Sequence, residues 1–463
     1  MRGKSCKGGR ALAEQKQFVI LGGGPGGLAA AITATAYGHR VTVFDPEGLG
    51  GNAVNHSLIP SKTLIQSVQH ILQARTVGGA WDVSRWPAVM DDQTQKIARL
   101  RALLELSTEM VTVKAETGRL VTGRRHPIAV VGAQSGDQIE GATIIVSVGS
   151  RQRLLPGLKP DGRTVLVPRA FHLLKAIPDS LDIVGGGATG LEAASLFSRL
   201  GTKTRLYTSQ ASLLTDYATE SSDLLAQAYR AFGIDVQTEK RIIGGASDDK
   251  GVDLEWEDMA TGVFGKTRVK RVFLANGRAP MWDAATMQEL GFDLDEQGFF
   301  VTQNSGQTSV PGVYAIGDAR GGQPLLANRA MKDGERAVKD VLGLPYHESP
   351  MVEAIYCWPE VARVGARRGY RTFRSQLTPQ PPPMLFHPTL DGVEAGELRI
   401  YTDEKNIVVG GEAVALHATE LMNLVAVAIA SRTSLLDLMH ISFATPSAAE
   451  WFRYLSPAPD GAS

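Results

Sequence analysis

Phe18-Val19-Ile20-Leu21-Gly22-Gly23-Gly24-Pro25-Gly26-Gly27 runs from an apolar stretch into a glycine cluster, and then into the small-residue segment 28–37. A short apolar run bounded by glycines reads as a strand buried on both faces, as in a parallel sheet. The segment after the glycines reads as a helix, and Arg40-Val41-Thr42-Val43-Phe44 as a second strand ending at Asp45. Gly22, Gly24 and Gly27 take the G-x-G-x-x-G positions of a βαβ unit. Such glycines permit a tight turn and bring a pyrophosphate close to the helix N-terminus, while an acid about twenty residues on accepts from ribose hydroxyls. Gly22, Gly24, Gly27 and Asp45 therefore point to dinucleotide binding.

The same unit recurs further along. Asp182-Ile183-Val184 leads into Gly185, Gly187 and Gly190, a helix to Leu200, and a strand over 203–207. Two such units in one α/β chain imply two nucleotides. The second unit ends at Thr208 instead of an acid, and Ser209-Gln210-Ala211 offers no arginine cluster for a 2′-phosphate. The choice between NAD and NADP stays open, as does nicotinamide binding itself. Around these units, helices are expected over 61–73, 93–113 and 326–341, with strands over 143–148 and 268–274. Beyond about residue 346, short strands at 352–356, 397–401 and 407–411 alternate with helices, and 379–383 reads as an exposed proline loop.

At 463 residues the chain is long enough for two or three domains with sizeable cores. Lys and Arg together number 48, as do Asp and Glu, so no net field favours nucleic acid or an anionic membrane. No apolar run reaches the roughly 20 residues of a membrane-spanning helix. The richest, 421–430, contains Asn423 and reads as a buried helix. Residues 1–16 are basic without the apolar centre of a signal peptide, and read as a disordered tail. Cys6 in that tail and Cys357 in an expected strand are the only cysteines, which argues against a structural disulfide and fits a reducing cytoplasm.

Gly50-Gly51-Asn52-Ala53-Val54-Asn55-His56-Ser57-Leu58-Ile59-Pro60-Ser61-Lys62 adds a signal of another kind. So do Gly149-Ser150, Ala275-Asn276-Gly277-Arg278-Ala279-Pro280, the run from Thr308 to Gly317-Asp318, Pro359-Glu360-Val361-Ala362, and Thr445-Pro446 with Glu450. In this order and spacing they resemble the flavoprotein disulfide reductases, the group of dihydrolipoamide dehydrogenase, glutathione reductase and mercuric reductase, over residues 17–455. The resemblance implies two Rossmann-like dinucleotide-binding domains plus a C-terminal α+β dimerisation domain. FAD binding would fall to 17–152 and 279–345, NAD(P) binding to 153–278 and the homodimer interface to 346–463. It also implies that FAD is held by Gly22, Gly24, Gly27, Asp45, Gly51, Lys62, Gly149, Gly317 and Asp318, and NAD(P)H by Gly185, Gly187 and Gly190.

In the relatives the frame at 50–62 carries two cysteines five positions apart, and the terminal domain carries a histidine in an H-P-x-x-x-E motif. Those positions here read Ala53, Leu58 and Thr445. A dithiol mechanism needs one thiolate against the flavin and another to exchange with substrate, and neither Ala nor Leu supplies one. The flavin side is better kept. Lys62 fits the lysine set against flavin N5, where an ammonium stabilises reduced, anionic flavin, and Glu192 fits its buried partner. The competing reading of that pair is a structural ion pair. Ala188 stands where some relatives place a bulky gate. His56, inside the replaced segment, is a candidate acid/base as against a packing histidine, and His440 is another. Thr445 is a candidate for hydrogen bonding to substrate, with Glu450 structural.

The expectation is a cytoplasmic, homodimeric FAD-dependent oxidoreductase. It would move a hydride or electrons from NAD(P)H through flavin to a small-molecule metabolite, quinone or oxygen, with no nucleic-acid or membrane partner. Three alternatives stay open: an FAD-dependent dehydrogenase or oxidase of a small biosynthetic metabolite with a vestigial nicotinamide site, a pyridine nucleotide transhydrogenase, and a non-catalytic flavin-bound interaction protein.

Overall fold

Gln17–Leu21 is the middle strand of a five-stranded parallel sheet. Arg40–Phe44 and Val111–Lys114 lie on one side of it, and Thr143–Val146 and Val313–Ala315 on the other. In the computed structural model the described residues are 15–76, 85–107, 111–169, 174–322, 324–377, 396–445 and 447–458. The tail expected over 1–16 lies outside them except for Gln15 and Lys16, as do the proline loop at 379–383, Cys6 and Pro446. The chain packs as two units. One gathers the residues up to Val54 with Arg99–Arg151 and Ala279–Tyr346, and the other gathers Asn55–Ala98, Gln152–Arg278 and the residues from His347 on.

In the first unit Phe18, Val19 and Ile20 are fully buried, as strands covered on both faces require. Each such side chain contributes about 1.5–3 kcal/mol on leaving water. The helix Pro25–Ala36 packs against Ala327–Val341 through glycines: a Cβ on Gly334 would stand 2.3 Å from the Gly26 carbonyl oxygen. An antiparallel meander of Gly118–Thr122, Ile128–Gly132 and Gln138–Ile139 completes the unit. One expectation is corrected here. The helix expected over 93–113 spans Trp86–Ser107, and Val111–Lys114 is an edge strand paired with Arg40–Phe44. The β-branched run Val111-Thr112-Val113 prefers that pleated surface to a helix.

The second unit repeats the parallel sheet, in the order Asp235–Gln237, Lys203–Tyr207, Ser180–Val184, Val272–Leu274, Val165–Leu166. A three-stranded antiparallel meander, Lys240–Asp248, Gly251–Asp258 and Phe264–Val269, covers it through Val252, Leu254 and Val269. The single strand expected over 268–274 is therefore two, since the chain leaves the meander at Val269 and enters the parallel sheet at Val272. Leu64 and Val68 of the helix Leu58–Thr76, with Trp86, join Leu191 and Phe197 in one core. The Gln93 amide donates to the Pro60 carbonyl and Trp86 Nε1 donates to the Leu174 carbonyl at 2.8 Å, which seats the helix bearing Lys62.

The remaining residues of that unit form a six-stranded antiparallel sheet, with Val352–Ile355, Glu360–Gly365, Val408–Ala415, Gly396–Thr402, Arg371–Leu377 and Ser456–Pro457 in that order. Ala418–Ala430 packs on it by Leu421, Met422 and Val425. The helix is not buried all round as expected, because Val427 is 65% exposed. From this sheet Arg399 pairs with Glu397 at 2.6 Å and with Glu220 at 2.9 Å. Glu412 accepts from the Ala218 N–H at 3.0 Å and the Ser221 hydroxyl at 2.6 Å, at the start of the helix Thr219–Ala231. Among the described residues no helix is long and apolar enough to cross a membrane.

Candidate functional site

Each parallel sheet carries a glycine cradle where its first strand meets its helix, and the two have nearly the same dimensions. Gly22 and Gly185 lie at φ +99° and +117°, in the left-handed region that favours glycine. A Cβ on Gly22 would meet Ser147 O at 2.4 Å, and one on Gly185 would meet Ala275 O at 2.3 Å. On Gly27 and Gly190 it would meet the Gly22 and Gly185 carbonyl oxygens at 2.0 and 1.8 Å. Gly24 and Gly187 differ from these. Both are extended N-cap residues, and a Cβ on either would meet nothing within 4 Å. That open floor, beneath the unpaired N–H groups of a helix start, fits a diphosphate.

The first cradle is closed further by Gly51, at φ +55°, where a Cβ would come within 2.7 Å of Gly24 Cα. Asp45 Oδ2 accepts from Gly23 N–H at 2.7 Å, and Oδ1 from Glu47 N–H at 2.9 Å. Burial pushes its carboxyl above the usual range, while those two donors pull it down. In the second cradle Thr208 takes the corresponding place. A Cβ on Gly186 would stand 2.8 Å from Thr208 Cβ, as one on Gly23 would stand 3.3 Å from Asp45 Oδ2. The buried Thr208 hydroxyl accepts from Gln210 N–H at 3.2 Å.

Two more expected cofactor residues, Gly149 and Asp318, are linked in the first unit through Ser150. The Ser150 hydroxyl, next to Gly149 at φ +72°, donates to Asp318 at 2.5 Å. Asp318 follows Gly317, at φ +60°, whose N–H donates to Asp333 at 3.1 Å. Asp333 is buried and pairs with Arg320 at 3.2 Å. Arg329 donates to the carbonyls of Gly321, Gly322 and Pro324 at 2.8, 2.9 and 3.1 Å. Burial lowers the affinity of Arg329 for its proton, against the attraction of Asp333. Sequence reasoning missed Asp333 and Arg329. Their i, i+4 spacing on a helix that follows Gly-Asp was the available signal.

The frame at 50–62 is two helices, Gly51–Asn55 and Leu58–Thr76, with half-buried His56 in the turn between them. Ala53 falls in the first helix and Leu58 opens the second. Lys62 Nζ donates to both oxygens of Glu192, at 2.7 and 2.6 Å. Glu192 is buried on the helix Ala188–Arg199 and accepts also from Tyr356 N–H at 3.0 Å. His440 stands exposed at the end of Leu435–His440. The Thr445 hydroxyl donates to Glu450 at 2.5 Å, and the other Glu450 oxygen accepts from Ser447 N–H at 3.1 Å, closing a capping box. Lys62 thus meets Glu192, as the ion-pair reading has it, whereas Thr445, expected to bond substrate, bonds Glu450 instead. That bond commits the Thr445 proton within its own turn. Cys357 is buried, and desolvation pushes its thiol well up. Among the described residues no cluster of three or more His, Cys, Asp or Glu could hold a metal ion.

Comparison with known proteins extends these observations. A family model described as pyridine nucleotide-disulphide oxidoreductase matches residues 16–334. The dihydrolipoyl dehydrogenase of Chlorobaculum tepidum is 31% identical over 372 residues, which are 76% of this chain and 77% of that one. That of Haloferax volcanii is 27% identical over 458 residues, 95% of each. Among solved structures, LpdA from Mycobacterium tuberculosis matches with a TM-score of 0.81 at 25% identity, covering 95% of this chain and 99% of that one.

Proposed function

Because the chain belongs to the pyridine nucleotide-disulphide oxidoreductase family, whose members use FAD and NAD(P)H, we propose that it is a homodimeric reductase driven by NAD(P)H whose acceptor is not a disulfide. One observation carries the reading. The only cysteine besides Cys6 is Cys357, buried and held as the thiol, while the frame positions read Ala53 and Leu58. A disulfide acceptor would need an accessible thiolate to attack it. A small-molecule acceptor such as a quinone or an enone-like metabolite needs positioning and exclusion of water.

In this reading Gly22, Gly24, Gly27, Asp45, Gly51, Gly149, Gly317 and Asp318 hold FAD, and Gly185, Gly187 and Gly190 hold the nicotinamide nucleotide. Bound FAD supplies the capacity to take a hydride equivalent from the nicotinamide and to release electrons to the acceptor. Lys62 supplies a fixed positive charge, and Glu192 holds that ammonium in place through two charge-assisted hydrogen bonds. Thr445, in the place of the family's histidine, bonds Glu450 and moves no proton to substrate.

Anaerobic titration of the purified protein with NADH and then NADPH tests this. The flavin absorbance should bleach with one of them, without the long-wavelength band of a thiolate–flavin contact. Failure of both to bleach it would overturn the direction of electron flow. A second reading, in which a bound metabolite is oxidised and the nicotinamide site is vestigial, draws on Thr208, since that site lacks a ribose-binding acid. Thr208→Glu separates the two. A carboxylate there repels a 2′-phosphate, and a like-charge contact of about 1–2 kcal/mol should raise the NADH-over-NADPH ratio of flavin reduction rates by about tenfold. A vestigial site would show no change.

A further inference from the structure

Lys62 has a second neighbour, besides Glu192, that the frame at 50–62 does not announce. Its Nζ lies 5.0 Å from the centroid of the Tyr356 ring. Glu192 occupies two of the three ammonium donors, and the ring covers another side of the charge. The ring itself is held by its backbone. Tyr356 N–H donates to Glu192 at 3.0 Å, and Trp358 N–H donates to the Ser195 hydroxyl at 2.9 Å. The Arg199 guanidinium then stacks on the Trp358 ring at 4.5 Å. Glu192, Ser195 and Arg199 form one stripe of the helix Ala188–Arg199, so residues 356–358 are clipped to it at successive turns.

We infer that Tyr356 is a positioning residue, whose ring face holds the Lys62 ammonium in the orientation from which it acts. The phenol is neutral while doing so. Burial first, and then the nearby carboxylates of Glu360 and Glu192, push its pKa up, so no phenolate competes with Glu192 for the ammonium. The ring's negative face is attractive to a cation and presents no atom that could take its proton. A carboxylate alone lets the ammonium swing about the ion pair. The ring closes that freedom and keeps water off one side of it. The inference rests on the proposed role of Lys62 for its effect on redox chemistry, but the placement of the ammonium stands without it.

Graded fluorination at position 356 tests the idea in the holoprotein. Tyr356 is replaced by phenylalanine, and then by phenylalanines carrying one, two and three fluorines, which drain the ring face of negative charge at nearly constant volume. Two readouts are followed, the rate at which an amine-acylating reagent labels Lys62, measured by mass spectrometry, and the flavin midpoint potential. Tyr356→Phe should match the parent in both. Labelling should then rise stepwise with fluorine count, to about fivefold in the trifluoro form and at least as much in Tyr356→Leu. Flat labelling across the series, or a loss already complete in Tyr356→Phe, would overturn the inference. Labelling that rises while the potential stays constant would uphold Tyr356 as the positioner of Lys62 and overturn the flavin-directed role of Lys62 itself.

Discussion

Gly24→Val should give a folded protein that is purified without FAD. A Cβ at Gly24 meets nothing within 4 Å, and the backbone there is extended, a conformation valine adopts readily. The folding cost is the loss of a good N-cap, about 1 kcal/mol. The added atoms fill the floor on which a diphosphate would rest, so FAD affinity should fall by at least about 100-fold, close to 3 kcal/mol. Gly27→Ala makes the contrast. Its Cβ would stand 2.0 Å from the Gly22 carbonyl oxygen, an overlap that should cost about 3 kcal/mol of stability or more. Gly187→Val repeats the first experiment in the second cradle. It should keep FAD and lose rapid bleaching by NAD(P)H. Thermal unfolding and flavin content of the three variants separate binding from folding, and a Gly24→Val protein that stays fully yellow would sink the assignment of the first cradle.

The second large effect is expected at Lys62. Lys62→Met leaves the buried Glu192 carboxylate with Tyr356 N–H as its remaining described donor. Breaking a fully buried ion pair from one side costs about 3–5 kcal/mol. The Lys62 side chain is 24% exposed, so about 2–3 kcal/mol is the better figure. The double change Lys62→Met with Glu192→Leu should recover more than half of that, because no charge is left stranded. Urea unfolding of the single and double variants measures both. A Lys62→Met protein as stable as the parent would show that the pair is not structural, leaving its charge to chemistry alone.

Much of this fold was legible because its first sheet is built from runs that admit few readings. Phe18-Val19-Ile20-Leu21 before a glycine cluster can hardly be other than a buried parallel strand. The second βαβ unit was legible in the same way. The misreadings came where tertiary pairing decides between local choices. Val111-Thr112-Val113 continues a helical charge pattern, yet it pairs at a sheet edge. Val269 and Val272 are separated by a turn whose residues, Lys270 and Arg271, carry no turn signal. In the site, Lys62 and Glu192 were legible from the motifs around them. Tyr356 was not, because proximity across a long sequence separation brings it to Lys62 and no local spacing encodes that; Asp333 and Arg329 were overlooked although their i, i+4 spacing was there to be read. Thr445 was legible as a substitution, but its hydrogen bond to Glu450 depends on a capping box that only the folded turn reveals.

Glu412 and Arg399 belong to the C-terminal sheet, yet they grip Ala218, Ser221 and Glu220 at the mouth of the helix Thr219–Ala231. The sheet therefore acts as a keel for that helix. A helix start needs its N–H groups answered, and here a carboxylate from another part of the chain answers them. Without that sheet, the helix Thr219–Ala231 would carry an open N-terminal end. The last sheet of this chain thus serves as ballast for the parallel-sheet fold beside it, whatever chemistry its end carries.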